Sequence, residues 1–267
     1  MKNTTKLTLV AIFAAAMTFS SCKKQEAPIV KGSNTNTSIQ LTDMVFNEFT
    51  NMNDNTSGKT DGLPCKTVTK DMVSMPHTIT IDYGTGCQTK FGTIRSGQMI
   101  VSFDQASINV PGCNITIAYS NYIVNDQELT GGTAILNNGL NGNGNLTFTF
   151  TSNLTSTQIN SHVGATVSSV QTYEWLTGSG TNTKEDDTFS VVGSGSGVDA
   201  QGLSYTETIT TPLFKNKATT CVPVYISGVV LNQTTGLGDR TTDYGSGACD
   251  NLADVTQNGV TQTITIQ

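Results

Sequence analysis

The sequence has few of the residues on which catalytic and metal sites usually depend. It contains two histidines and one tryptophan, and no two of its six cysteines have the CxxC spacing of a zinc or redox motif. It has no P-loop, no dinucleotide-binding fingerprint and no GxSxG elbow. We therefore expect no cofactor and no bound metal, and the sequence favours a protein that is not an enzyme.

Basic charge is scarce as well, with 14 Lys+Arg against 20 Asp+Glu. Nucleic-acid binding requires basic patches that displace counterions, and binding to an anionic membrane surface requires them too. The balance disfavours both partners. The sequence also lacks a continuous apolar run of the roughly 17–25 residues that a transmembrane helix needs.

The N-terminus has the order of an export signal. Lys2 and Lys6 precede the apolar run Leu7–Phe19, and two serines then lead to Cys22. A cysteine at this place resembles a lipobox, the signature of bacterial lipoproteins; the alternative is ordinary secretion with an incidental cysteine. On the lipoprotein interpretation, residues 1–21 are removed and acyl chains on Cys22 anchor the protein to a membrane.

The predicted mature chain has 267 − 21 = 246 residues, and its side-chain charge is 12 − 20 = −8. We interpret residues 22–38 as the lipidated N-terminus and a flexible tether spanning about 20–25 Å. Lys23 replaces the aspartate that retains enteric lipoproteins in the inner membrane, which favours the outer membrane. Glu26 is the only acidic residue close to the anchor, so the periplasmic and surface leaflets both stay open.

One short helix followed by many strands is the expected fold. Met44 or Val45 with Phe49 and Met52 gives helical spacing within residues 39–64, where Asn53–Gly62 has the composition of a loop. Residues 65–267 alternate apolar residues with threonines, which is typical of half-buried antiparallel strands. We predict an all-β fold, a large twisted antiparallel meander, and leave open whether it is an open sheet, a barrel or a sandwich.

Glycine and asparagine clusters mark the expected connections between strands. Asn138–Gly144 and Gly193–Gly197 are interpreted as loops, and Ser96-Gly97 as a turn. Asn258-Gly259 stands between two alternating segments and predicts a two-residue type I′ hairpin.

A weak internal repeat organises the cysteines. Asp82-Tyr83-Gly84 before Cys87 matches Asp243-Tyr244-Gly245 before Cys249, and each segment has an upstream cysteine, Cys65 or Cys221. The repeat favours the pairs Cys65–Cys87 and Cys221–Cys249, each contributing about 3–4 kcal/mol of stability. Cys113 is then a spare thiol, while Cys87–Cys113 is the rival pairing.

The order of motifs resembles a family of uncharacterised Bacteroidetes cell-envelope lipoproteins. The motifs that carry the resemblance are TITIDYGTGC, SNYIVNDQELTGGTAILNNG, YEWLTG, DDTFSVVGSGSG and DYGSGACDN, within roughly residues 60–267. The resemblance implies a lipid anchor and a β domain without an assigned activity. This chain keeps only Lys90 and Arg95 where the family often has a longer basic segment, and Cys113 is a further departure.

A few side chains are weak candidates for ligand or calcium binding. Carboxylates can bind calcium or act in pairs in glycoside hydrolysis, but before a turn or strand they more often accept backbone N–H bonds. A lone tryptophan can bind a sugar ring, although it more often packs in a core. His77 and His162 are expected to be solvated or locally hydrogen-bonded. The candidates are Glu185, Asp186, Asp187, Asp82, Asp243 and Trp175.

Three hypotheses for the function follow from these observations. The leading one is an outer-membrane lipoprotein that acts as a non-enzymatic binding or structural module, with a glycan or envelope protein as its partner. The second is a periplasmic carrier that holds a lipid or acyl chain in a curved sheet. The third is a glycan-degrading hydrolase that uses Glu185–Asp187.

Overall fold

The computed structural model describes residues 37–57, 65–88, 92–181, 183–218, 221 and 225–266, with only the backbone described for residues 51–57. The expected signal sequence, Cys22, most of the tether and Lys90 lie outside the described residues.

The helix α1 spans Thr37–Ser57 and is longer than expected at both ends. It begins inside the predicted tether and continues through the first five residues of the predicted loop Asn53–Gly62. Neither proline nor glycine interrupts this segment before Gly58. The first turn contains no acidic residue of its own, and the acid at this helix end is Glu207, which is remote in the sequence.

Within the residues that the structure describes, fourteen strands follow the helix. They are β1 Thr67–Asp71, β2 His77–Asp82, β3 Cys87–Gln88, β4 Ile94–Phe103, β5 Asn114–Val124, β6 Gln127–Leu140, β7 Leu146–Gln158, β8 Gly164–Thr177, β9 Thr188–Val198, β10 Ser204–Asn216, β11 Ser227–Thr234, β12 Arg240–Ser246, β13 Leu252–Gln257 and β14 Val260–Thr265.

The strands form one antiparallel meander, as the alternation of apolar and threonine residues predicts. Neighbours in the sheet are neighbours in sequence throughout, except that the two-residue β3 pairs only with β4 and β2 pairs directly with β4. Within the described residues β1 pairs only with β2 and β14 only with β13. The sheet is therefore open rather than a closed barrel.

The two faces of the sheet differ in chemistry. The face that α1 contacts, here called the inner face, carries one continuous buried cluster with members from β2 to β13, such as Ile79, Phe150 and Val255. The opposite, outer face carries the alternate residues, many of them exposed threonines and serines such as Thr151 and Ser194. Burial of the inner face supplies the main driving force for folding.

Three glycine-containing segments predicted as connections are wholly or partly strand. Gly193–Gly197 lies inside β9, and Asn138–Leu140 completes β6 before a turn at residues 141–145. Gly97 is a bulge within β4, with φ of 76°. The hairpin prediction is confirmed, because Asn258 and Gly259 join β13 to β14 with φ of 52° and 76°.

Two disulfides pin equivalent hairpins. Cys65 pairs with Cys87 across β1 and β2, and Cys221 pairs with Cys249 across β11 and β12, with Cα–Cα distances of 5.5 and 4.7 Å. These are the pairings that the repeat predicts. Cys113 is free and buried.

No helix among the described residues is long and apolar enough to cross a membrane.

Candidate functional site

The inner face of the sheet encloses α1. Of the helix residues Thr37–Thr50, only Gln40 is exposed. At 3.6 residues per turn, the buried positions cover about 220° of the helix circumference, whereas a surface helix usually buries a stripe of about 100°. The strands therefore curve around the helix instead of touching it along one line.

On the β4 side of the sheet, Glu48 connects α1 to the strands through polar contacts. Its carboxylate forms an ion pair with Arg95 at the start of β4 and accepts a hydrogen bond from the Tyr83 hydroxyl at 2.6 Å. Burial raises the pKa of Tyr83, and the nearby Glu48 carboxylate raises it further. Burial opposes the charge of Arg95, but Glu48 together with Tyr122 and Tyr83 more than offsets this effect, so the pKa of the guanidinium is raised.

On the β10 side, Asp43 connects α1 to the sheet as Glu48 does on the β4 side. Its two carboxylate oxygens accept hydrogen bonds from Lys215 of β10 at 2.7 and 2.8 Å, and the Tyr225 hydroxyl donates to it at 3.0 Å. Burial lowers the pKa of Lys215, and Asp43 offsets part of this effect. An ion pair this deeply buried adds little net stability, but loss of one partner leaves an uncompensated charge.

Glu207 of β10 caps the N-terminus of α1. One of its oxygens accepts the backbone N–H groups of Ser38 and Ile39 at 2.9 and 3.2 Å, as well as the Ser38 hydroxyl. The other oxygen accepts the Asn232 amide at 3.0 Å. The carboxylate satisfies helix donors that have no partner within the helix, and its charge suits the helix dipole. Burial nevertheless raises its pKa.

A row of polar residues and one glycine, here called the polar row, crosses the inner face at this level. Its members are direct register partners on eight successive strands: Thr133, Ser152, Ser169, Gly195, Glu207, Asn232, Arg240 and Gln257. The Thr42 and Ser169 hydroxyls are 2.6 Å apart. Gly195 lies under Ser38, and a Cβ there would be 2.2 Å from the serine Oγ. The glycine thus allows close approach of the helix.

Aromatic packing surrounds the next turn of the helix. Phe46 stacks on Tyr173 with a centroid distance of 3.9 Å and contacts Phe150 and Phe189 edge to face. Phe49 packs on Phe148 at 5.4 Å. Such pairs contribute roughly 0.5–1.5 kcal/mol each beyond their burial, so apolar contacts hold the middle of α1 while polar contacts fix its orientation.

The repeat-related aspartates fix turns. Asp82 accepts the Gly84 N–H at 2.7 Å, and Asp243 accepts the Gly245 N–H at 2.8 Å. Hydrogen bonds from the Gln98 amide and, to a lesser degree, from the Gly84 N–H lower the pKa of Asp82. The two residues lie on β2 and β12, near opposite ends of the strand order, and the structure does not bring them into one site.

The acidic segment before β9 divides among three environments. Glu185 is exposed, Asp186 accepts the Thr181 hydroxyl at 3.0 Å on the surface, and Asp187 is buried and accepts the Trp175 indole N–H at 3.2 Å. Trp175 is 6% exposed and packs against Phe189. The tryptophan thus lies in the core instead of forming an exposed sugar-binding surface.

The histidines take no part in a common site. The ring of His77 packs against Phe103 at the start of β2, and His162 is exposed in the turn between β7 and β8. In the part of the chain that the structure describes, no three His, Cys, Asp or Glu side chains are grouped as metal ligands.

Sequence reasoning missed the charges that surround α1. Four of them are buried, namely Asp43, Glu48, Glu207 and Lys215, and Arg95 is half-buried. One local signal was present, because Glu207 and Lys215 occupy the inward positions of β10, among Tyr205, Ile209 and Leu213. A charge at an inward position of a half-buried strand indicates a partner packed on that face.

Comparison with protein-family models, curated proteins and solved structures finds no match for this chain.

Proposed function

We propose that the chain is a lipoprotein anchored to the outer membrane through Cys22, and that its β domain is a non-enzymatic binding or structural module of the cell envelope. The export signal, the cysteine after it and the resemblance to Bacteroidetes envelope lipoproteins support this proposal.

The enclosure of α1 is the structural observation that carries the proposal. This helix is the first described element after the segment expected to bear the lipid, and Glu207, Lys215 and Arg95 hold it to β10 and β4. Among the described residues, a force applied through the anchor would reach Thr37 first. Because buried contacts on both sides hold the helix, that force would be shared by the whole sheet, as a tethered domain requires.

The same enclosure bears on the carrier alternative. A carrier needs a continuous apolar concavity that is open to an acyl chain, and here Phe46 and Phe49 of α1 fill the inner face. Lipid binding there would require the helix to leave and would expose Glu207, Lys215 and Arg95. For the hydrolase alternative, Glu185, Asp186 and Asp187 would have to act from three different environments.

Metabolic labelling with an alkyne fatty acid tests the anchor. We expect label in the native chain and in the matched control Cys113→Ser, and none in Cys22→Ser, which should move to the soluble envelope fraction. Retention of label or of membrane association by Cys22→Ser would refute the proposal. Protease treatment of intact cells then distinguishes the surface leaflet, where the domain is cleaved, from the periplasmic leaflet.

The proposed module predicts binding without turnover. A panel of envelope glycans and a pull-down from envelope extract, each followed by thermal shift of the purified protein, should yield a stabilising partner. Reproducible degradation of an envelope polymer by the purified protein would contradict the non-enzymatic assignment.

A further inference from the structure

Within the described residues the last strand pairs only with β13, so the backbone groups along its other edge bond to no further strand. In the hairpin that joins β13 to β14, Val260, Gln262 and Ile264 face Gln257, Val255 and Ala253 as hydrogen-bonded pairs. The Ile266 N–H continues the series by donating to the Asn251 carbonyl at 2.8 Å.

The residues between these pairs direct their backbone groups away from β13. Since hydrogen-bonded and non-hydrogen-bonded pairs alternate in an antiparallel ladder, the N–H and C=O groups of Thr261, Thr263 and Thr265 point outward from the sheet. Each of the three threonines is exposed. The edge therefore presents three backbone donors and three acceptors.

The two ends of the sheet are not equally protected. Natural edge strands usually carry charge or proline that blocks pairing with another chain. The other edge strand, β1, contains Lys70 and Asp71 within five residues. The β14 strand (VTQTIT) contains neither charge nor proline and is rich in residues that favour strands.

We propose that the open edge of β14 pairs antiparallel with the β14 strand of a second copy of this chain. A twofold axis at Thr263 sets this residue opposite its symmetry mate and sets Thr261 opposite Thr265 of the second copy. Each such pair is hydrogen-bonded in both directions, so the three pairs form six N–H···O bonds. The match is self-complementary because every residue of the three hydrogen-bonded pairs is a threonine, and threonine pairs across strands are favourable. The intervening non-hydrogen-bonded pairs set Gln262 opposite Ile264 of the second copy.

Repulsion between acidic side chains of the two copies does not prevent this pairing. An acidic side chain beside this edge is Asp254 of β13, which accepts the Thr263 hydroxyl at 2.6 Å. In the pair of sheets, Asp254 and its symmetry mate would be three strand spacings apart, about 14 Å. This exceeds the Debye length of about 8 Å at physiological ionic strength. Because the chain carries net negative charge, we expect association to strengthen as salt is raised from low concentration.

Disulfide trapping tests the register directly. In a background with both Cys22→Ser and Cys113→Ser, which leaves only the disulfide-bonded cysteines, Thr263→Cys should give a covalent dimer on a non-reducing gel. Its Cα atom would lie about 5.5 Å from its symmetry mate, within the range for a disulfide. Thr261→Cys and Thr265→Cys are matched controls, since each is displaced by roughly 14 Å along the strand from its own mate.

The two controls should cross-link to each other when mixed, although neither should do so alone. We expect Thr263→Cys to form dimer at least about tenfold faster than either control alone, because only that position meets itself within disulfide reach. Equal rates for all three variants, or self-linking of Thr261→Cys alone, would overturn the proposed pairing. Pairing of β14 with another edge would likewise leave Thr263→Cys monomeric.

Sedimentation of the uncross-linked protein provides an independent test. Thr263→Pro removes an N–H that makes no bond to β13, and proline is tolerated at such edge positions. The variant also loses the exposed hydrogen bond from the Thr263 hydroxyl to Asp254, worth about 0.5–1.5 kcal/mol. It should therefore still melt in one cooperative transition, slightly below that of the native protein, and lose the concentration-dependent dimer. A native chain that stays monomeric at millimolar concentration and moderate salt would refute the proposal.

Discussion

Asp43 and Glu48 lie five residues apart on α1 and bind opposite sides of the sheet, Asp43 to Lys215 of β10 and Glu48 to Arg95 of β4. Five residues advance about 140° around a helix. The strands β4 and β10 are six spacings apart, about 29 Å in a flat sheet, whereas a helix with its side chains is about 10–12 Å wide. The two ion pairs therefore hold a sheet that curves around the helix.

The first prediction concerns the Asp43–Lys215 pair. Asp43→Asn should lower the free energy of unfolding by about 3–5 kcal/mol, because it leaves the Lys215 ammonium buried without a carboxylate. Adding Lys215→Met should recover much of this loss, because the double variant buries no unpaired charge. Urea-induced unfolding measures both effects.

The control for this prediction is Glu185→Gln. Glu185 is an exposed carboxylate, so its replacement should change the unfolding free energy by no more than about 0.5 kcal/mol. If the double variant were less stable than Asp43→Asn, the uncompensated lysine could not be the cause of the loss.

The second prediction concerns the pH dependence that Glu207 confers. Burial raises the pKa of Glu207 above its ordinary value of 4.5 in the folded state. Just above that value the folded state then binds more protons than the unfolded state, so stability falls as pH rises through this window. The stability advantage of the native protein over Glu207→Gln should therefore be larger near pH 5 than at pH 7.

Glu174→Gln is a control, because the stability difference between the native protein and this variant should change with pH in the opposite direction. Hydrogen bonds from Asn145 and Asn141 lower the pKa of the half-buried Glu174. Its contribution is present above pH 4.5 and is lost on acidification through the lowered pKa. Chemical denaturation at several pH values measures both differences; the same sign for the two variants would contradict this assignment.

Local signals in the sequence were enough to predict the fold class. Alternation in segments such as Leu146–Thr151 identifies strands with one buried face, and Asn258-Gly259 identifies a two-residue hairpin because few other residues adopt positive φ. Neither signal depends on distant parts of the chain. Whether the sheet is open or closed does depend on distant parts of the chain, because it is set by how far the strands curve around α1.

The arrangement around α1 could not be predicted in the same way, because its partners are remote in sequence. Glu207 and Ser38 are 169 residues apart, and Lys215 and Asp43 are 172 apart. The misinterpretation of Gly193–Gly197 has the same origin. Glycine commonly marks a loop, but in β9 it makes room for Ser38, a contact that no local pattern reveals.

The third prediction concerns that close approach. Gly195→Ala should destabilise the fold by about 1–3 kcal/mol, because its Cβ would be 2.6 Å from the Ser38 Cβ and must displace the helix. Ser38→Gly removes the clash together with the hydroxyl that donates to Glu207. The double variant should therefore cost less than the sum of the single variants.

Gly142→Ala is the matched control, since nothing lies within 4 Å of a Cβ at this position. Its melting temperature should match that of the native protein. If the stability losses of Gly195→Ala and Ser38→Gly were additive in a thermal unfolding series, the two residues would not be in the tight contact that the prediction assumes.

The fourth prediction concerns the two disulfides, which close loops of similar length. The paired cysteines are 22 and 28 residues apart, so replacing either pair by alanines should lower the free energy of unfolding by about 3–4 kcal/mol. Urea denaturation without reductant measures the loss. A much larger loss for one pair would mean that its cysteines also contribute through packing.

Thiol reactivity distinguishes this pairing from the rival one. With Cys65 bonded to Cys87, the free thiol of a Cys22→Ser chain is Cys113, which is 0% exposed and whose pKa is raised by burial. It should react slowly with a thiol reagent until urea unfolds the protein, since reaction requires an accessible thiolate. A Cys87–Cys113 disulfide would instead free the exposed Cys65, and one thiol per chain would react at once in the native state.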